Sequence, residues 1–172
     1  VDENLLAYLS KRIGSVLQDL KPSVYPLILQ PPREAFNPAR RQFNSAKLLD
    51  WADGCAIVAG KGRALLVTVG DLYVPGLNFV FGQAQYPGRL AIISLRRLQP
   101  SFYGLEASAE LLRERAFKEA VHELGHTYGL AHCQAVGCVM RFSNNISEVD
   151  AKTSSFCLDL SLIHISEPTR PY

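Results

Sequence analysis

Apolar residues recur with helical spacing at the start of the chain. In ENLLAYLSKRIGSVLQDL, residues 3 to 20, they fall at Leu5, Leu6, Leu9, Ile13, Val16, Leu17 and Leu20, which makes one greasy face and predicts an amphipathic helix. SVYPLILQPP then reads as a short strand ended by Pro31 and Pro32. RRQFNSAKLLDWAD reads as a second helix closing near Asp53 and Gly54. The continuous apolar and β-branched run RALLVTVG, residues 63 to 70, predicts a strand covered on both faces. LNFVFGQA and RLAIISLRRL are two more strands, with breaks supplied by Gly82 and by YPG at 86 to 88. From Ser108 to Leu130 the period is helical again. Leu112, Ala116, Ala120 and Leu124 mark one side and Phe117 and Val121 widen it, while Arg113, Glu114, Lys118 and Glu119 fall mostly elsewhere. Gly129 suits the left-handed turn that ends such a helix.

Strands and helices therefore alternate up to one long late helix, which predicts an α/β protein. Beyond Leu130 the chain becomes short, polar and irregular. At 172 residues, with 48% hydrophobic and 20% charged side chains, it has the size and composition of one domain with a real core. A net charge of +2 and a pI near 8.4 are too mild to argue for nucleic acid or an anionic membrane. No apolar run approaches the eighteen residues of a bilayer span. The first residues, VDENLLAYLSKRI, show neither an initiator Met nor a basic-then-apolar leader, so no secretory signal is expected and the natural start is left open.

The chemistry is concentrated in VHELGHTYGLAHCQAVGCVM, residues 121 to 140, which holds three of the four histidines, two of the four cysteines and the single methionine. On a helix, His122 and His126 lie one turn apart on the same face and can reach one Zn²⁺. Glu123, one residue further round, is placed to hold a metal-bound water rather than to ligate. Gly129 follows His126 by three residues and His132 follows Gly129 by three, which completes H-E-x-x-H-x-x-G-x-x-H. The glycine lets the helix stop and the chain double back, so that His132 approaches the same ion from another side. Three imidazoles leave the fourth tetrahedral position open, as in a catalytic zinc site. At this chain's own His, Glu and Gly frequencies, the short motif arises by chance in roughly one such chain in a few hundred, and the long one in roughly one in a hundred thousand. Cys133 and Cys138, beside the histidines, favour a metal over a disulfide and hence a reducing, cytoplasmic compartment.

The long motif with a later methionine is that of the metzincin zinc peptidases. The continuation narrows it: His132-Cys133, then QAVG, Cys138, Val139 and Met140 resemble the archaemetzincin family, as do DLYVPGLNFVFGQA and FSNNISEVDAKTSSFC. The resemblance covers about residues 60 to 157. It implies a zincin-like (metzincin) fold: a mixed, mostly parallel sheet with flanking helices, an active-site helix and a small irregular C-terminal subdomain. It also implies that Met140 forms a hydrophobic base, the Met-turn, beneath the three histidines without touching the metal. The family further implies a second, structural zinc held by four cysteines. Cys133, Cys138 and Cys157 match the first three, but the fourth position is Leu160. Buried thiols or a Cys133–Cys138 disulfide therefore remain alternatives. Cys55 lies apart and reads as a buried small residue.

The tail SLIHISEPTRPY breaks the family pattern and has no clear period, so residues 159 to 172 read as non-native sequence and His164 carries no role. Residues 1 to 158 then form a single metzincin-type catalytic domain, its sheet-bearing part running to about 130 and its cysteine-containing part from 131 to 158. The expected activity is hydrolysis of a peptide bond by a Glu123-activated, zinc-bound water. The substrate is a peptide or protein laid against an edge strand, for which LNFVFGQAQ is the candidate, a plain core strand being the competing reading. Arg96 and Arg97 are either contacts to an acidic substrate or, more in keeping with exposed arginine, ion-paired surface residues. No nucleic-acid or membrane partner is expected, and the chain is expected to be a monomer. Two other activities fit the same residues: a zinc-bound adaptor that holds a peptide without cutting it, and a zinc hydrolase of a non-peptide amide.

Overall fold

A computed structural model describes residues 1–17, 20–25, 28–55, 58 and 62–161. The first helix, α1 (Glu3–Val16), is N-capped by Asp2, whose side chain accepts from the Asn4 amide. Its predicted face is the buried one: Leu5, Leu9, Ile13 and Leu17 enter the main core. The strand expected over 23–32 does not form in its described residues, 23–25 and 28–32; 26 and 27 lie outside the described set. Four flanking or internal prolines in this stretch of sequence, Pro22, Pro26, Pro31 and Pro32, have no N–H to give a ladder.

Two short strands follow, β1 (Phe36–Asn37) and β2 (Gln42–Asn44), then α2 (Ser45–Gly54). The second helix thus starts five residues later than its sequence pattern suggests. Asn44 is the cause, because its side chain accepts from the Lys47 amide and caps the helix there. Strand β3 (Ala64–Thr68) precedes β4 (Leu72–Tyr73), β5 (Gly82–Ala84) and β6 (Leu90–Ser94). The long helix α3 (Ala109–Thr127) and the short α4 (Ile146–Ala151) follow.

The strands make two small sheets, ordered β1-β2-β4 and β3-β6-β5. In each, one pairing is antiparallel (β1 with β2, β5 with β6) and one parallel (β2 with β4, β3 with β6). The fold is mixed α/β, with two parallel and two antiparallel strand pairings among the described residues. All five residues of β6 are buried. Leu90 and Ile92 meet α2 through Leu48, Leu49 and Ala52, while Ala91 and Ile93 meet α1 and α3. Because strand side chains alternate, a strand covered on both faces is apolar along its length, and the one polar residue of β6, Ser94, donates its hydroxyl to Gly70 O. Both β6 and β3 meet this condition: in β3, Leu65 and Val67 pack on the main core while Ala64 and Leu66 pack on the cluster under α2. Among the described residues β3 pairs on one side only, and all five of its residues are half-buried.

Helix α3 lies across the β6 face with Ala116, Phe117, Ala120, Val121 and Leu124 inward. Three of its charged residues are buried as well: Glu123, and Arg115 and Glu119 at 3% exposure each, although the sequence pattern put Glu119 outside the apolar face. α4 lies against the latter two: Arg115 makes two hydrogen bonds of 2.7 Å to Asp150, and Glu119 pairs with Lys152 at 2.8 Å. No helix among the described residues is long and apolar enough to cross a membrane.

Candidate metal centre

The last two turns of α3 carry His122, Glu123 and His126, and the chain reverses directly after them. Gly129 has φ of +81°, its N–H donates to His126 O (2.9 Å), and the Leu130 N–H donates to Gly125 O (3.1 Å). This is the paired hydrogen bonding of a Schellman turn, in which glycine takes the left-handed position at no steric cost. The reversal carries His132 back to the helix. The Nε2 atoms of His122 and His132 each lie 3.2 Å from Nε2 of His126. A tetrahedral zinc with Zn–N distances of 2.0–2.1 Å requires nitrogens about 3.3–3.4 Å apart, so the triad is spaced as such an ion demands.

The protonation chemistry fits too. His122 Nδ1 donates to Val139 O (2.8 Å) and His126 Nδ1 to Leu130 O (2.7 Å). A carbonyl can only accept, so the proton sits on Nδ1 and the Nε2 lone pair faces the site. Burial pushes His122 well below the usual imidazole range, with the Lys152 ammonium adding to it. Burial likewise lowers His126 and His132. Neutral imidazole is the ligating form.

Glu123 is 5% exposed and lines a cavity of about 650 Å³ together with the three histidines. Burial holds its carboxyl well above the usual value, the nearby Glu119 carboxylate adds to this, and Lys152 opposes it. Met140 is fully buried beneath α3. A Cβ built at Gly125 would stand 2.5 Å from Met140 Sδ, so the glycine inside the histidine pair is what lets the methionine close up under the helix. The motif spacing gives Gly125 no task; only the packing reveals one.

Cys133, Cys138 and Cys157 form a second group whose sulfurs lie within 4.8 Å of one another. Sγ of Cys133 and Sγ of Cys157 are 3.8 Å apart. A tetrahedral ion with Zn–S of about 2.3 Å separates its sulfurs by about 3.8 Å. All four cysteines are free thiols, Cys133 and Cys138 included, and Cys55 is half-buried away from the cluster. The Leu160 backbone N–H, bonded to Cys157, lowers that thiol. The Leu160 side chain packs on the same apolar cluster as Cys133 and Cys157. Position 160 therefore sits beside the sulfurs but offers no ligand. Residues 162–172, His164 among them, lie outside the described set.

Other expected residues go elsewhere. Arg97 forms a two-pronged pair with Asp71, both hydrogen bonds 2.8 Å, and stacks over Phe79. Arg96 lies over the Phe102 ring, 5.5 Å from its centroid. The sequence reading missed three features of the site. Tyr86 meets the His126 ring edge-on and Phe142 meets His132. Glu119, one helical turn before Glu123, lines the cavity and is neutralised by Lys152. The spacing of Glu119 to Glu123 could have flagged it; nothing local could have flagged Lys152.

With this geometry in hand, the chain matches the profile of peptidase family M54 over residues 52–162. It is 41% identical over 159 residues to the archaemetzincin of Methanocaldococcus jannaschii, covering 91% of this chain and 83% of the relative. Its structure is similar to the crystal structure of archaemetzincin from Methanopyrus kandleri, with a TM-score of 0.85, 37% identity and coverage of 97% of this chain and 87% of that one. It is also similar to a zinc-dependent peptidase from Methanocorpusculum labreanum, with a TM-score of 0.77, 32% identity and 94% of each chain covered. The chain belongs to peptidase family M54, the zinc metallopeptidases that include the archaemetzincins.

Proposed function

We propose that this chain hydrolyses peptide bonds at a zinc ion held by His122, His126 and His132, with Glu123 activating the attacking water. The observation that carries this reading is the convergence of three Nε2 atoms, neighbours 3.2 Å apart, beside a buried carboxylate in the wall of one cavity. Zinc, when bound, supplies a Lewis acid that acidifies water and polarises the scissile carbonyl. Glu123 takes the water proton onto its carboxylate and passes it to the leaving amine.

The substrate lies extended along β5, an outer strand of its sheet. Phe81 O accepts from Ser94 N and Gln85 N donates to Leu90 O, so alternation turns the N–H and C=O of Gly82 and Ala84 away from β6. Those groups are available to an added strand. The architecture in this reading is zincin-like, with residues 1–158 as one catalytic domain whose part from 131 onward carries the cysteines. Cys133, Cys138 and Cys157 hold a second, structural zinc, weakly in this chain because Leu160 replaces a fourth thiolate. The protein works as a cytoplasmic monomer on peptide or protein substrates, without nucleic acid or membrane, in keeping with its mild charge.

The test is cleavage of a mixed peptide library by the zinc-loaded protein and by Glu123→Ala, with products identified by mass spectrometry. Loss of the base should cost about 10²–10⁴-fold in rate while the bound zinc stays. Equal cleavage by both, with zinc retained, would instead leave a peptide-binding adaptor.

A further inference from the structure

We infer that Gly82 is a positioning residue for Glu123: the strand proposed to carry the substrate backbone also sets the base, because only a residue without a side chain leaves room for the carboxylate at that point. This rests on Glu123 being the base. A Cβ added at Gly82 would stand 2.6 Å from Glu123 Cγ and 2.7 Å from its Oε1, and also 2.7 Å from Ile92 O. Real Cβ atoms do not approach other atoms so closely. The helix cannot back away, since α3 packs on β6 through fully buried Ala120 and Val121, so the Glu123 carboxylate can yield only by swinging into the cavity it lines, away from its place beside the strand. Gly82 has negative φ and so needs no glycine for its backbone. Its missing side chain is required by what fills the space.

The contact joins two parts of the site that are distant in sequence. Gly82 faces the cavity with an outward peptide group, and Glu123 from the helix fills the space a Cβ at Gly82 would need. The distance from substrate backbone to base is thus set by one van der Waals contact. β5 is held from its other side as well, where Gln83 Oε1 accepts from the Ser45 hydroxyl on α2 (2.5 Å). The strand cannot slide away when Glu123 is crowded.

Gly82→Ala keeps the N–H and C=O that an extended substrate would use, so KM should change little. The carboxylate should be displaced, and kcat should fall roughly 10–100-fold, the scale of an ångström-size misplacement. Zinc content should stay that of the wild type, because no histidine is touched. A double-mutant cycle separates this from simple damage to the strand. The fall in Tm caused by Gly82→Ala is measured in the wild type and in Glu123→Ala. If Glu123 is the colliding group, the fall is clearly smaller in the Glu123→Ala background, where only Ile92 O still resists. Equal falls in the two backgrounds, or an unchanged kcat in Gly82→Ala, would overturn the inference. Absence of any cleavage by the wild type would remove the peptidase reading, and the Tm cycle would still decide whether Gly82 and Glu123 are coupled.

Discussion

Burying a carboxylate against Gly82 and beside Glu119 has a thermodynamic cost that pH can expose. In the folded, metal-free protein Glu123 holds its proton well above the ordinary Glu value of 4.5. The folded state therefore binds more protons than the unfolded chain, and this group's contribution to stability is lost as pH rises above 4.5 towards the folded value. Glu123→Gln removes that loss. Its Tm advantage over the metal-free wild type should be small near pH 4 and grow as pH rises, readable by thermal melts in chelator. A constant difference across pH would contradict the burial. Gly125 makes a second case. Ala is favoured over Gly in a helix by about 0.8–1.0 kcal/mol. A Cβ there would press to 2.5 Å from Met140 Sδ, and overpacking a closed core costs about 1–3 kcal/mol. Met140 is fully buried and has nowhere to go, so Gly125→Ala should destabilise on balance, as denaturant unfolding would report.

At the scale of elements, the site is the end of α3 plus what is fastened to it. The turn at Gly129 delivers His132, and a non-glycine residue at φ of +81° costs about 1–2 kcal/mol. Gly129→Ala should lower stability by that amount and weaken zinc retention against a competing chelator, because the strained turn sets the approach of the third ligand. α4 is tied to α3 by charge: Arg115 to Asp150, Lys118 Nζ to the carbonyls of Val149 and Asp150, and Lys152 to Glu119. The Lys152–Glu119 pair is almost wholly buried, at 1% and 4% side-chain exposure. Lys152→Met leaves a buried carboxylate without its partner, a loss of about 3–5 kcal/mol, whereas Lys152→Met with Glu119→Leu should recover most of it. Equilibrium unfolding of the two variants distinguishes a necessary pair from a dispensable one. Much of this is legible locally. α1 and α3 follow from their 3.6-residue apolar period, the start of α3 from Ser108, whose side chain caps Leu111 N, and its end from Gly129. The late start of α2 was written in Asn44 but hidden by the apolar run around it.

For the molecule as a whole, the metal should be a large part of stability. Ligand at a hundred times its dissociation constant adds about 2.7 kcal/mol to the folded state, so chelation should lower Tm and excess zinc restore it. Metal content per chain should be about one zinc held firmly, and about two in Leu160→Cys, where a fourth thiolate can close the second site. Two firmly held ions in the unaltered chain would show that Leu160 does not weaken that site. The sequence by itself determined the spacing of the metal-capable side chains and the main helices, because both depend on short separations: imidazoles one helical turn apart, a glycine at a helix end, a greasy stripe every third or fourth residue. Tertiary structure alone decided which strand is central and fully buried, β6 rather than β3, since both are apolar runs packed on both faces and, among the described residues, only β6 pairs on two sides. It alone brought Lys152 to Glu119 and Gly82 to Glu123, contacts spanning tens of residues that no local period encodes.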